Sequence, residues 1–168
     1  MFSHELRECL KLIKTPHSGV YARDRMPIMV QTPSGIIINT DPHTKPGTHW
    51  VAIYINRDRV GEFFDSYGTQ PQGQFASYLQ RQCLQFRYSR RMLQDISSHV
   101  CGQYCVLFLY YRSLGVSMDK FLELFTDDTK INDTVVDRLF NELFNRTQYR
   151  QCETSSQSCC SRQRLAFI

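Results

Sequence analysis

No stretch of this chain approaches the ~20 consecutive apolar residues that a membrane span needs, so no membrane association is expected. Residues 1–14 carry charge throughout and hold no continuous apolar core. A secretory leader is therefore not read there, and the expected setting is the cytoplasm or nucleus of the cell. The seven cysteines include no CxxC pair, and no closely spaced histidine pair follows them. A zinc site is not expected, and in a reducing compartment the thiols should be free. A strong excess of one charge is missing too. Twenty Lys and Arg stand against sixteen Asp and Glu, a net +4. That excess is what an ordinary solvated surface carries, and alone it does not point to nucleic acid. There are no internal repeats.

What is present is a globular composition, 42% hydrophobic and 12% aromatic, over 168 residues. That length suits one domain with a real core. Phe2, Leu6, Cys9, Leu10 and Ile13 recur at helical spacing and predict an amphipathic helix over 2–14, with Ser3 as its cap. Residues 21–27 read as a charged connecting segment and Ile36-Ile37-Ile38 as a short buried strand. Residues 49–55 and 60–65 read as a hairpin around the turn Asn56-Arg57-Asp58-Arg59. A helix over 74–82 and a strand over 84–88 follow. A central helix is expected from Gly102 to Ser113, a short one capped by Ser117, and a last one starting at Asp133 or Thr134. The stripe Val135, Val136, Leu139, Phe140, Leu143 and Phe144 marks that last helix. Residues 1–147 read as the domain and 148–168 as a polar, mobile tail.

One segment concentrates the chemistry. The polar loop Gln94 to Val100 runs into Cys101-Gly102 and then the apolar run Val106 to Tyr111. A helix N-terminus carries roughly +0.5 of a charge, and a thiolate placed there has a lowered pKa and becomes a usable nucleophile. A thiol nucleophile needs a base, and the base needs an orienting group. A hairpin turn centred near Arg57 sets His49 opposite Asp65 on one face. Opposed residues have Cβ atoms about 4.5–5.5 Å apart, the range for an imidazole held by a carboxylate. Gln94 adds an amide N–H that can bind an oxyanion. Each residue alone has a plainer reading: a surface histidine, a turn aspartate, a packed cysteine. Their joint appearance is the signal. His4, His17, His43 and His99 show no comparable orienter in the sequence.

The order His49-Trp50, then Asp65 in Phe-Phe-Asp-Ser-Tyr-Gly, Gln94 and Cys101-Gly102 resembles the adenovirus-type endopeptidases (adenain). These belong to the wider superfamily of ubiquitin-like-protein (SUMO) proteases. Gly-Val-Tyr-Ala-Arg-Asp-Arg-Met-Pro (19–27), Ile-Ile-Asn-Thr (37–40), Gly-Thr-His-Trp (47–50) and Cys-Gly-Gln-Tyr-Cys (101–105) look like the corresponding adenain segments. The seven-residue step from Gln94 to Cys101 is also the adenain spacing. The likeness runs over residues 2–145. It implies an α+β, papain-like cysteine protease of adenain/SUMO-protease type, a central mixed sheet flanked by helices. Cys101 would be the nucleophile at the start of a buried helix, His49 the base and Asp65 the orienter. Gln94 and the Cys101 backbone N–H would form the oxyanion hole, with Trp50 and Gly102 beside the site and Cys105 in the core. Asp65 departs from the Glu common in adenovirus enzymes and matches the Asp of SUMO proteases.

The resemblance also carries effectors. In adenovirus enzymes a cysteine at the place of Cys83, eleven residues before Gln94, takes a disulfide from a viral peptide cofactor, and DNA is a second activator. Both are implied here, beside the plainer readings of Cys83 as a buried thiol and of Arg57, Arg59, Arg81, Arg87, Arg90 and Arg91 as a solvated face. No required cofactor and no metal is expected. Such proteases occur also in Polinton/Maverick transposons and related viruses. The implied substrate is therefore a capsid or precursor protein of the same element, cut at small-residue, Gly-rich sites in the host cell or the virion by a monomer. Two alternatives stand beside this: an isopeptidase that removes ubiquitin-like modifiers, and a catalytically silent DNA-binding module on the same fold. A redox pair of Cys101 and Cys105 is disfavoured by the CxxxC spacing.

Overall fold

The computed structural model describes residues 1–13 and 15–143. The expected tail over 148–168, and Phe144 of the last stripe, lie outside the described residues. Five strands form a single mixed sheet in chain order. They are β1 (Gly19–Ala22), β2 (Ser34–Asn39), β3 (Trp50–Ile55), β4 (Val60–Phe64) and β5 (Gln85–Tyr88). β1 pairs with β2 in parallel, β2, β3 and β4 are antiparallel, and β5 returns parallel to β4. The helices are α1 (Ser3–Leu10), α2 (Gln74–Gln82), α3 (Cys101–Ser113) and α4 (Met118–Leu122). A fifth, α5, occupies residues 129–143. This is the expected α+β arrangement, a mixed sheet flanked by helices.

The run Ile36-Ile37-Ile38 is apolar at every position because both faces of β2 are covered, as in any strand buried on two sides. Alternation then divides the core. Ile37, Ala52 and Phe64 face α1, α3 and α4. Ile36, Ile38, Val51, Ile53, Ile55 and Phe63 face α2 through Tyr78 and Leu79. α3 is apolar nearly all round because it lies between the sheet and the outer helices, and residues Tyr104 through Leu109 are all buried. Aromatic rings fill the seam. Phe64 stacks on Phe108 at 4.7 Å, and Phe121 of α4 meets the edges or tilted faces of Phe64, Phe108, Tyr111 and Phe125 at 5.2–5.7 Å.

Several details differ from the sequence reading. Residues 21 and 22 of the expected connecting segment belong to strand β1, whose hydrogen-bonded partner is β2. α1 ends at Leu10, and its N-cap is Phe2, whose N–H donates to the Glu5 carboxylate at 2.6 Å. α3 begins at Cys101 itself. α5 begins near residue 129, because Asp128 Oδ1 accepts the N–H groups of Lys130 and Ile131. Ser117 does cap α4, accepting the Lys120 N–H. Glu62 of β4 is buried on the α3 face. It forms ion pairs with Arg112 of α3 at 2.6 Å and Arg87 of β5 at 2.7 Å. Such a charge is tolerated inside only because both partners reach it.

The hairpin register also differs. Ala52 pairs with Phe64 and Ile55 with Gly61, so the turn is centred on Asp58 and not on Arg57. Asn56 closes the turn. Its Oδ1 accepts the Val60 N–H at 2.8 Å and its carbonyl accepts the Arg59 N–H at 3.1 Å. Arg59 takes the left-handed conformation, φ 58°, as the last residue of a three-residue hairpin loop often does.

Truncating Phe121 to Ala should cost about 3–5 kcal/mol, because a ring enclosed by four others leaves a cavity that cannot collapse. Equilibrium urea unfolding measures this. A loss below ~1 kcal/mol would show that the aromatic seam is not where α4 is held.

Candidate active site

His49 stands immediately before β3 and Asp65 immediately after β4, so adjacent antiparallel strands bring both to one end of the sheet. The observed register, extended three steps beyond Ala52 and Phe64, sets His49 opposite Tyr67 and makes Asp65 its diagonal neighbour. The expected direct opposition is therefore corrected, but a shift of one residue in turn centre moves each partner by two positions and keeps the face. Diagonal neighbours remain within reach of long side chains. His49 Nε2 meets Asp65 Oδ1 at 2.7 Å. The opposed Tyr67 stacks on the imidazole with ring centroids 4.7 Å apart.

Asp65 is held from several sides. Its N–H donates to Ser89 Oγ at 3.1 Å, and the same hydroxyl donates back to the Asp65 carbonyl at 3.0 Å. The Tyr67 N–H donates to Oδ1 at 3.0 Å. With Nε2 of His49 engaged by Asp65, Nδ1 is the nitrogen left for the Cys101 thiol, to which the imidazole is hydrogen-bonded. Cys101 is the first residue of α3 and is 7% exposed. Its backbone N–H, at the first turn, has no acceptor within the helix.

The electrostatics follow from this geometry. Burial works against an imidazolium at His49. Hydrogen bonds and charge from Asp65 and Cys101 outweigh it, and the group is pushed up to about 9. Burial likewise raises the Cys101 thiol. The His49 hydrogen bond and charge, with backbone donors of Trp50 and Gly102, bring it below the ordinary thiol value. The other described cysteines go the opposite way. Burial pushes Cys9 up to about 12, raises Cys83, and raises Cys105 well above its ordinary value. Cys105 is fully buried, its Sγ donating to the Trp50 carbonyl at 3.3 Å. Among the described residues, Cys101 is the cysteine poised as a thiolate.

Gln94 is completely buried. Its Oε1 accepts from Ser66 Oγ at 2.7 Å, and its Nε2 lies 3.1 Å from both the carbonyl and the hydroxyl of Ser98. Trp50 is 8% exposed and packs in the same core as Cys101, its Nε1 donating to the Met1 carbonyl. Gly102 lies so close to Met1 that a Cβ there would sit 3.0 Å from its Sδ. A cleft of about 440 Å³ opens over the thiol, lined by Trp50, Tyr67, Ile96, Ser98, His99 and Cys101.

The structure does not bring Cys83 to this cleft. Cys83 ends α2 and packs with the core on the opposite face of the sheet from the core that holds Cys101. Of the basic cluster at 87–91, Arg87 binds Glu62 and Asp119, and Arg91 binds Asp127 and the Leu122 carbonyl. His43 does have an acidic partner after all, Asp24 at 2.6 Å, on an exposed rim shared with Arg25. Sequence reasoning missed it because the two residues lie nineteen apart on connecting segments. It also missed Ser66, Tyr67 and Ser89. The first two sat in the quoted run around Asp65, but nothing in a single sequence says that a serine or tyrosine there touches the site. Among the described residues no cluster of His, Cys, Asp and Glu is arranged to hold a metal ion, and no helix is long and apolar enough to cross a membrane.

No family model matches the chain. It is similar to the cysteine protease of African swine fever virus, Tick/Malawi isolate. The two are 30% identical over 124 residues, 66% of this chain and 43% of the relative. It is similar also to the SUMO-1 cysteine protease of the Pig/Kenya isolate, at 29% identity over the same shares. The chain thus spans less than half the length of these relatives. A crystal structure of the African swine fever virus protease shares the fold, with TM-score 0.55 and 20% identity over 79% of this chain and 62% of that one.

Two charged states of the pair bound its working range. The thiolate–imidazolium form exists above the lowered thiol value and below about 9, where His49 loses its proton. In an NMR titration the His49 ring should have its midpoint near 9, and Asp65→Asn should lower it, since Asp65 is a raising influence. A midpoint at or below the ordinary histidine value in the unaltered protein would contradict the ion pair. By chain similarity its relatives are viral cysteine proteases.

Proposed function

We propose that this chain is a cysteine endopeptidase that cleaves peptide bonds by acyl transfer. The observation that carries the proposal is the Cys101 thiol, lowered at the start of α3 by an imidazole that Asp65 holds at 2.7 Å. The similarity to viral cysteine proteases supports it. In the resting enzyme the proton sits on His49 and the negative charge on Cys101. The thiolate attacks the scissile carbonyl carbon, and the π electrons move to oxygen. That oxyanion takes hydrogen bonds from Gln94 Nε2 and the Cys101 N–H. Collapse of the tetrahedral intermediate breaks the C–N bond, and His49 gives its proton to the leaving amine. His49 then accepts a proton from water, whose oxygen attacks the thioester. Collapse releases the acid, and the thiolate–imidazolium pair returns.

The substrate proposed is a precursor or capsid protein of a virus or transposon of the adenain-bearing kind, cut beside small residues. A second reading, an isopeptidase for ubiquitin-like modifiers, is favoured by the name of one relative, a SUMO-1 cysteine protease. A peptide joined to Cys83 and DNA remain proposals for activators. Cys83 is 8% exposed and its thiol is raised by burial, so a peptide disulfide there requires local opening first. The silent DNA-binding module has less to stand on, because Arg87 and Arg91 are engaged by acidic partners.

The test is digestion of a proteome-derived peptide library with mass-spectrometric detection of new termini, alongside a modifier carrying a C-terminal electrophile. Wild-type protein should generate termini next to glycine or another small residue, and Cys101→Ser should generate none. Gln94→Ala should lower kcat by roughly 10²–10³. Labelling by the modifier without library cleavage selects the isopeptidase. Equal cleavage by Cys101→Ser would rule out the mechanism.

A further inference from the structure

We infer that Ser66 is a positioning residue for the oxyanion donor: through its hydroxyl it fixes which end of the Gln94 amide is turned toward Ser98, a residue of the cleft wall. This rests on the proposed acyl-transfer reading. An amide side chain has an accepting end and a donating end of nearly the same shape, and only its partners decide between them. Two partners here give the same answer. The Ser98 carbonyl can only accept, and it lies 3.1 Å from Nε2. Ser66 Oγ lies 2.7 Å from Oε1 and supplies the proton that this oxygen needs. A reversed amide would set Oε1 against the Ser98 carbonyl, oxygen to oxygen.

The same serine also places the backbone that carries Gln94. The Ser66 carbonyl accepts the N–H groups of Leu93 and Gln94, at 2.8 and 3.1 Å. Ser66 and Gln94 are both completely buried, so no water competes for these bonds. Nε2 has two hydrogens. One is directed to the Ser98 carbonyl, and the second lies toward the Ser98 hydroxyl, which lines the cleft and can rotate aside. That second N–H is the one available to a developing oxyanion. Donation into Oε1 from Ser66 polarises the amide and strengthens both N–H donors. Ser66 directly follows Asp65. The end of β4 therefore feeds the two arms of the site through adjacent residues, Asp65 to the imidazole and Ser66 to the oxyanion amide.

A merely structural serine and a positioning serine predict different results. Ser66→Ala is compared with Ser66→Cys, which keeps the size and a weak donor, and with Gln94→Ala and the double variant Ser66→Ala/Gln94→Ala. The first readout needs no turnover: the side-chain amide resonances of Gln94 and their hydrogen-exchange protection by NMR. Ser66→Ala should shift those resonances and reduce the protection, and Ser66→Cys should restore part of it. The second readout is kinetic. Ser66→Ala should lower kcat roughly tenfold, with KM and the pH profile of Cys101 alkylation unchanged, and the double variant should be no slower than Gln94→Ala. Unchanged Gln94 resonances in Ser66→Ala overturn the inference whatever the activity. So does a fully additive double variant, or a loss that appears in KM or in alkylation. If the wild type hydrolyses no peptide, the acyl-transfer reading fails, while the NMR readout still decides whether Ser66 positions Gln94.

Discussion

The site depends on two antiparallel strands ending together. β3 and β4 are joined by a tight turn, so the chain before one and after the other emerges at the same sheet end. The hydrogen bond from His49 Nε2 to Asp65 Oδ1 spans that opening at 2.7 Å. Remove the strand pairing and two residues sixteen apart have no reason to meet. Everything else at the site is brought to that bond. α3 is pressed against the sheet by its apolar faces, which delivers Cys101 beneath the imidazole. Ser89 of the segment after β5 clamps the Asp65 backbone. The charge on the thiol is thus a consequence of packing: burial alone would raise Cys101, as it raises Cys9, Cys83 and Cys105. The held imidazole, helped by the backbone donors of Trp50 and Gly102, reverses the sign.

Much of this is legible in the sequence where information is local. The triple isoleucine of β2, the 74–82 helix, and the polar loop that becomes apolar at Cys101 all carry their own period or punctuation. His49, Asp65, Gln94 and Cys101 stand out because their types and chain order match the needs of nucleophilic catalysis. The reading loses accuracy where tertiary contacts decide. Arg59 adopts φ 58° without being glycine. Its guanidinium is tied to the carbonyls of Gln82 and Arg81, so the turn centre moves to Asp58 with no local warning. β1 is hidden by its charged sequel and by having parallel partners seventeen residues away. The start of α5 is hidden because Asp128 lies among several candidates for a cap. Ser66 and Ser89 carry no signal at all, since a buried serine and a surface serine look alike in one sequence.

The shift of the turn centre to Asp58 does not change which residues meet, because parity along a strand matters more than direct opposition. A two-position slide of the partner keeps His49 and Asp65 on one face and places Tyr67 directly across, where its ring stacks on the imidazole. The sheet tolerates this exchange because a histidine can reach a diagonal carboxylate. A slide of one position would have turned Asp65 to the other face and lost the pair.

The central claim is that the arrangement of His49, Asp65 and Cys101 makes one thiol a nucleophile and leaves the other described thiols inert. Its most direct measurement is alkylation at neutral pH by a limiting amount of iodoacetamide, with the modified cysteine mapped by mass spectrometry in the unaltered protein and in His49→Ala. The account predicts that Cys101 is modified well ahead of Cys9, Cys83 and Cys105, and that this preference collapses in His49→Ala. Preferential labelling of Cys9, Cys83 or Cys105, or a Cys101 rate indifferent to the loss of His49, would contradict it.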